Sequence, residues 1–481
     1  MKYIFSKPIQ AVNVGPELFY EALKQQSVPV TQLNWRPDIR MKIDASQSLI
    51  LNQLTGTVAG LIDEANSLVI SRLKNADPYW IGMKPAVECV PDMHEGLILH
   101  AGPEIPWDRM CAAQQQGGIN GALFEGYAST EDEARHKLEN GEIEFRSAND
   151  YHIVAPGSGI ATPSLVVNIV EDRNTGLRGF CAPFEGPNRG GLGGWGIYNQ
   201  DVRSFLDLIR DTIAPVFTQL LEQIGGLALR RIFVRGVEMG DELHSRQDAC
   251  GLIAVNEMMK LLFESSLPYA ARKACVDLMY GTVRYFHPLG MASAMATLEG
   301  VRNVPYSTVV TAMEGNGVDY GIKLAGTGNR WYTAPSPFSE DGALVAANID
   351  KNEILPWIGD SCMLECCGLG GFAAAAAPAV MRAQNKKWSD GIEQSRRMEE
   401  ITLARHPYYL LPGLDYQGAP VGIDMRKVLE TGVVPVIHGG IIAKNLRRLG
   451  SGGTKVPFEC FEKALDGFAH QYGIKGEMQH V

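Results

Sequence analysis

The stretch MGDELHSRQDAC, residues 239–250, concentrates groups that donate, accept or carry charge. His244 is a residue type that can act as a general acid or base, and a carboxylate from Asp241 or Asp248 could hold its imidazole. A helix starting near Gly240 would advance about 100° per residue. Asp241, His244 and Asp248 would then share one stripe, continued by Leu252, Val255 and Met259 toward the core. Glu242, Arg246, Glu257, Lys260 and Glu264 would face solvent. A plain alternative stands beside this. First-turn acids favour the helix dipole, and Glu242 and Arg246 form an i,i+4 pair that needs no function. Gly251 could also break the helix. No second histidine lies at ligand spacing, so no metal is expected.

GDSCMLECCGLGGFAAAAAPAV, residues 359–380, is the most unusual composition in the chain. Gly368, Gly370 and Gly371 lead into an alanine run. Such a turn can present backbone N–H groups to a phosphate or carboxylate, or it can let a small-residue helix pack tightly on another backbone; the sequence leaves both open. Asp360 and Glu365 flank the turn and could orient a ligand. Cys362, Cys366 and Cys367 lack paired C-x-x-C spacing and read as apolar fillers. Arg330, in AGTGNRWYTAPS, offers a planar fork for an anion or is a surface arginine. Asn316 sits in Gly315-Asn316-Gly317, a hairpin signal with polar groups near the same blocks. GLGGWG at 191–196 fits a dinucleotide fingerprint only weakly, without the strand–turn–helix context.

The elements that must position these residues follow from periodicity. Residues 1–180 alternate strand and helix patterns, including GLILHAG and GALFEGYA as strands and STEDEARHKLENG as a helix capped by Ser129 or Thr130 with Glu133 as the capping-box partner. This predicts a Rossmann-like parallel sheet. Residues 181–305 read as a glycine-rich loop plus a helical domain, and 306–481 as an α+β domain with a hairpin around Gly315–Gly317. The fold class is therefore α/β and α+β multidomain. A chain of 481 residues suits about three domains of roughly 150 residues. Hydrophobic residues make up 45% and charged residues 20%, with a net charge of −10. Apart from the Arg447-Arg448 pair no basic cluster stands out, so nucleic acid is not expected as a partner. GGFAAAAAPAVM is too short and proline-interrupted to span a bilayer. The opening MKYIFSKPIQ has no secretory apolar region, and nine cysteines lack framework spacing, so a cytoplasmic, reduced protein is expected.

HAGPEIPWDRM, GALFEGYA, MGDELHSRQDA, GIKLAGTGNRWYTAPS, GDSCMLECCGLGGFAAAAAP, DYQGAPVGIDMRKVLETG and GSGGTKVPFECFEKAL occur in this order. Together they resemble the bacterial YlbE/YahG-like family, over nearly the whole chain. The resemblance implies a component of an oxamate carbamoyltransferase, which exchanges a carbamoyl group between oxalurate and phosphate. It implies an FdrA-like subunit and a third subunit as partners, small anionic substrates such as carbamoyl phosphate and an oxamate-like acid, and no cofactor; a homo-oligomer is also expected. The S-x-R-T phosphate motif of aspartate and ornithine carbamoyltransferases is absent, so the site would be of another kind. On chemistry alone, His244 would protonate the leaving nitrogen, Asp241 or Asp248 would hold it, and Arg330 and the glycines at 368–371 would hold anions. Two other readings stand: a non-catalytic subunit, and an enzyme using a nucleotide or CoA.

Overall fold

The computed structural model describes residues 11–14, 17–33, 43–184, 191–281, 285–339, 341–344, 351–444 and 448–476. The expected Gly15–Pro16 turn, the Asn34-Trp35 strand end, residues 185–190 of the glycine-rich loop and residues 445–447 of the basic cluster lie outside them. The chain divides into two compact units, Met1–Asp44 and Ala45–Val481.

The first unit contains the expected strand–helix–strand pattern. Ala11–Val14 pairs in parallel with Val30–Leu33, and Glu17–Gln25 is the helix between them. Among the described residues the parallel arrangement does not continue into a Rossmann-like sheet. In the second unit Pro78–Pro85 pairs antiparallel with Val166–Asp172 and with Leu227–Ala228. A separate three-stranded sheet joins Leu97–His100 in parallel to Glu144–Ser147 and antiparallel to Ile160–Ala161.

One cause is local. GALFEGYA is not a strand, because it completes the helix Ala112–Glu125, closed by Gly126 in a left-handed conformation at φ 75°. A short apolar run cannot by itself distinguish strand from helix. Here Gly117 and Gly118 let the helix approach Ser158 and the Phe145 ring, where an added Cβ would meet atoms at 3.1 and 3.0 Å. The next helix forms as its caps require: Thr130 accepts from Glu133 N, and the Glu133 carboxylate accepts from Ser129 N.

Residues 200–299 are mainly helical, ending in His287–Glu299, a helix buried almost all round. Val310–Asn316 and Asp319–Leu324 then form the expected hairpin, turning at Gly317 with φ 84°. Asp319–Leu324 is buried on both faces rather than one, and Lys323 is wholly enclosed. Ile358–Gly359 adds to the outer side of Val310–Asn316. Val436–Ile442 and Arg448–Lys455 make an antiparallel pair that closes the far side of the site. The segment DGIEQSRRMEEITLAR, whose spacing predicts one helix, divides: the helix Trp388–Glu399 ends and the strand Thr402–Leu411 follows. Among the described residues no helix is long and apolar enough to cross a membrane.

Candidate functional site

His244 does not lie on a helical stripe. The helix Leu229–Glu238 ends, the chain passes through Gly240 at φ 100° and Leu243 at φ 70°, and the next helix, Asp248–Glu264, begins afterwards. Two positive φ values are incompatible with a continuous right-handed helix. Leu252, expected to face inward, is 65% exposed. The loop is instead wound around Glu242. Its buried carboxylate accepts the N–H groups of His244, Ser245 and Arg246. Burial alone would raise the Glu242 pKa. The neighbouring His438 and His244 rings and the Arg246 N–H outweigh it, so the carboxyl sits below its ordinary value.

The loop points the His244 ring at two residues of the segment 359–371. Nδ1 lies 2.8 and 3.0 Å from the two carboxylate oxygens of Glu365, and Nε2 lies 2.9 Å from Ser361 Oγ. Glu365 is fully buried, and His244 is 3% exposed. A carboxylate can only accept, so Nδ1 carries the proton toward Glu365 and Nε2 accepts from the Ser361 hydroxyl; this tautomer is assigned from the network. Glu365 also accepts from Gly371 N at 3.0 Å and from His438 N at 2.9 Å. Serine, imidazole and carboxylate thus form one hydrogen-bonded relay, which can move a proton between Ser361 Oγ and whatever occupies the space beside it.

That space is a cavity lined by Pro156, Gly157, Trp195, His287, Trp357 and Gly439, with His244, Ser245 and Ser361 among its polar groups. Trp357 stands edge-on to His244, centroids 6.0 Å apart and planes at 85°. Its indole fits because Gly439 beneath it has no side chain; a Cβ there would collide with the ring. Gly359, at φ 120°, meets the backbone of Gly157, where a Cβ would lie 2.5 Å from the amide nitrogen. His287, at the start of its helix, stands edge-on to Phe184 and 6.2 Å from the His244 ring.

The remaining residues singled out by the sequence have other positions. Asp241 is buried but turned toward the next helix, accepting from Cys250 N at 2.7 Å; burial raises its pKa. Asp248 is half-exposed and pairs with Arg246 at 3.3 Å. Neither carboxylate holds the imidazole; Glu365 does. Asp360 is a brace, accepting from Gly102 N at 2.6 Å and Ala155 N at 3.0 Å, and so fixes the chain just before Pro156 and Gly157. Burial and the nearby Glu314 define a second buried carboxyl pair. Burial drives both pKa values up, that of Asp360 to about 7. Asn316 caps the hairpin, accepting from Val318 N and Asp319 N and donating to Pro103 O. Arg330 is exposed and lies over the Tyr332 ring. It is not among the residues lining the cavity.

Gly368, Gly370 and Gly371 do form a close-packed turn. Gly370 donates to the Glu242 carbonyl at 2.6 Å and Gly371 donates to Glu365. A Cβ on Gly368 would lie 2.8 Å from Pro420 O, and one on Gly371 would collide with Val436 O. The carboxylate held by this turn belongs to the chain itself. Sequence reasoning missed Ser361, His287, His438 and Trp357 as site residues, and it placed Glu242, which is wholly buried, on a solvent face. Only Ser361 had a local signal, a glycine two residues before it at the start of a strand-to-helix turn.

Mixed sheets, buried helices and a hydrogen-bonded Ser361–His244–Glu365 relay beside a cavity describe a mixed α/β scaffold. The family profile described as "Oxamate carbamoyltransferase subunit AllG" matches residues 143–361, which include His244 and Ser361. The chain is 32% identical to "Uncharacterized protein YahG" of Escherichia coli K12, over 98% of this chain and 99% of that protein. It is also 32% identical to "Oxamate carbamoyltransferase subunit AllG" of the same organism, over 86% of this chain and 99% of that one. A crystal structure of a conserved protein of unknown function from Enterococcus faecalis V583 superposes with a TM-score of 0.80 at 30% identity, covering 85% of this chain and 98% of that one. The chain belongs to the YahG/AllG-like family.

Proposed function

We propose that this chain is a component of a carbamoyltransferase complex resembling oxamate carbamoyltransferase, in which oxalurate and phosphate give oxamate and carbamoyl phosphate. The observation that carries the reading is the His244 ring. It is oriented by a buried carboxylate and lines a cavity, in a chain 32% identical to a named oxamate carbamoyltransferase subunit. Cleaving a ureido C–N bond requires a proton on the departing nitrogen, and a fixed imidazole supplies it. Glu365 sets the tautomer and stabilises the imidazolium that forms in between, the role a carboxylate has behind a catalytic histidine. The FdrA-like subunit and a third subunit complete the complex.

The test is to produce the chain together with those two subunits and to follow carbamoyl phosphate formed from oxalurate and phosphate. His244→Ala is expected to lower turnover by about 10²–10⁴-fold while the complex still assembles. Full turnover by that variant would assign the chemistry to a partner and leave this chain a structural role.

A further inference from the structure

We propose that Ser361 is the nucleophile of this site and that the carbamoyl group passes through an ester on its Oγ. This deepens the carbamoyltransferase reading and rests on it for the identity of the acyl group.

Three observations carry it. First, the Ser361 hydroxyl is bonded to Nε2 of an imidazole whose Nδ1 is held by a buried carboxylate, the arrangement that activates a serine for attack on a carbonyl. Second, Ser361 sits on a sharp strand-to-helix turn. Ile358–Gly359 is the strand, Gly359 takes φ 120°, and Met363–Cys366 is the helical turn, with Met363 N donating to Asp360 O and Leu364 N to Ser361 O. Such an elbow projects a serine hydroxyl away from its own backbone. Third, Ser361 lines the cavity and is half-buried, whereas the surrounding polar groups Asp360, Glu365 and Glu314 are wholly enclosed. The order along the chain is His244, Ser361, Glu365; unrelated triads share geometry and not order.

The steps balance as follows. Ser361 Oγ attacks the ureido carbonyl carbon as its proton moves to His244 Nε2. The C–N bond breaks, the imidazolium gives that proton to the departing nitrogen, and oxamate leaves. The carbamoyl group remains as an ester of Ser361. An oxygen of hydrogen phosphate then attacks the same carbonyl, and its proton passes through His244 to Ser361 Oγ as that oxygen is released. Carbamoyl phosphate departs, and no oxidant, reductant or further reactant is required.

The experiment uses the full chain, alone and in its complex, with two reagents: oxalurate without phosphate, and p-nitrophenyl carbamate. Each sample is denatured and its peptides weighed. The expected result is the added mass of one carbamoyl group on the peptide bearing Ser361, removed when phosphate is supplied. Ser361→Ala is expected to take up no label and to lose roughly a thousandfold or more of turnover. Initial rates with both substrates varied should follow a double-displacement pattern. Active complex with no ester on Ser361, or Ser361→Ala turning over oxalurate at the original rate, overturns the nucleophile and leaves the carbamoyltransferase reading standing. Labelling by the activated carbamate with no turnover of oxalurate supports the nucleophile and removes oxalurate as donor. No label from either reagent overturns the proposal.

Discussion

At the residue scale the site depends on a few buried carboxylates whose partners fix their charge. Glu242 and Glu365 are stabilised by N–H donors and imidazoles, whereas Asp360 and Glu314 share a buried space. Burial is the larger effect on Asp360. It outweighs the Ala155 and Gly102 N–H groups and raises the pKa from 3.8 to about 7. An unfolded chain releases that proton near 3.8 and the folded chain only near 7, so between these values the folded form holds more protons. Stability therefore falls as pH rises through that window and levels off above it. Asp360→Asn is expected to flatten this dependence, measured as urea midpoints across a pH series. An unchanged slope would show that Asp360 ionises freely in the fold.

At the element scale the glycine turn at 368–371 supports the Glu365–His244 pair without lining the cavity. Gly370 takes φ 56°, and a Cβ there would collide with the Glu365 carboxylate. Gly370→Ala is therefore expected to displace Glu365 from His244. A shift of about 1 Å in a catalytic constellation costs on the order of 10²-fold in rate. Turnover should fall by that order with only a moderate drop in melting temperature. Gly371→Ala, which meets the Val436 backbone carbonyl, should instead lower stability first. Equal activity in Gly370→Ala would mean that Glu365 does not orient the ring. The same contrast separates what was legible from what was not. Gly–Gly spacing announced a turn but left open whether it presents N–H groups or packs tightly; the acceptor of the Gly371 N–H is a side chain six residues earlier in sequence, Glu365, folding back over it.

At the scale of the whole second unit, distant segments are tied together by a buried charged group. Lys323 ion-pairs with Asp150 at 2.6 Å, donates to Asn149 at 2.8 Å and lies over Trp331. Arg302 reaches the same Asn149, which also bonds Glu314. Burial and the nearby Arg302 lower the Lys323 pKa, while Asp150 and Glu314 oppose that shift. Asp150 is 31% exposed and can regain water, so removing Lys323 leaves buried Asn149 and Glu314 as the uncompensated groups, typically at a cost of about 1–3 kcal/mol. Lys323→Met is expected to destabilise the protein by roughly that amount in denaturant unfolding. A change below about 0.5 kcal/mol would place the cluster among surface-like interactions. Nothing in the alternation of Val318, Tyr320, Ile322 and Leu324 foretold this network, because alternation reports one buried face and both faces here are covered.

The order of chemistry along the chain was readable from residue types alone: a histidine among acids at 241–248, an acid-flanked glycine turn at 359–371, and a hairpin at Gly315–Gly317. So were elements with strong local signals, such as the Thr130-capped helix and the first strand–helix–strand, since caps and periodicity act over a few residues. Only tertiary structure decided that Glu365, and not Asp241 or Asp248, holds His244, and that Ser361 stands at its other nitrogen. The two sides of that relay are more than a hundred residues apart. Their meeting depends on packing among glycines, backbone carbonyls and a buried Glu242 loop, which no single-segment pattern encodes.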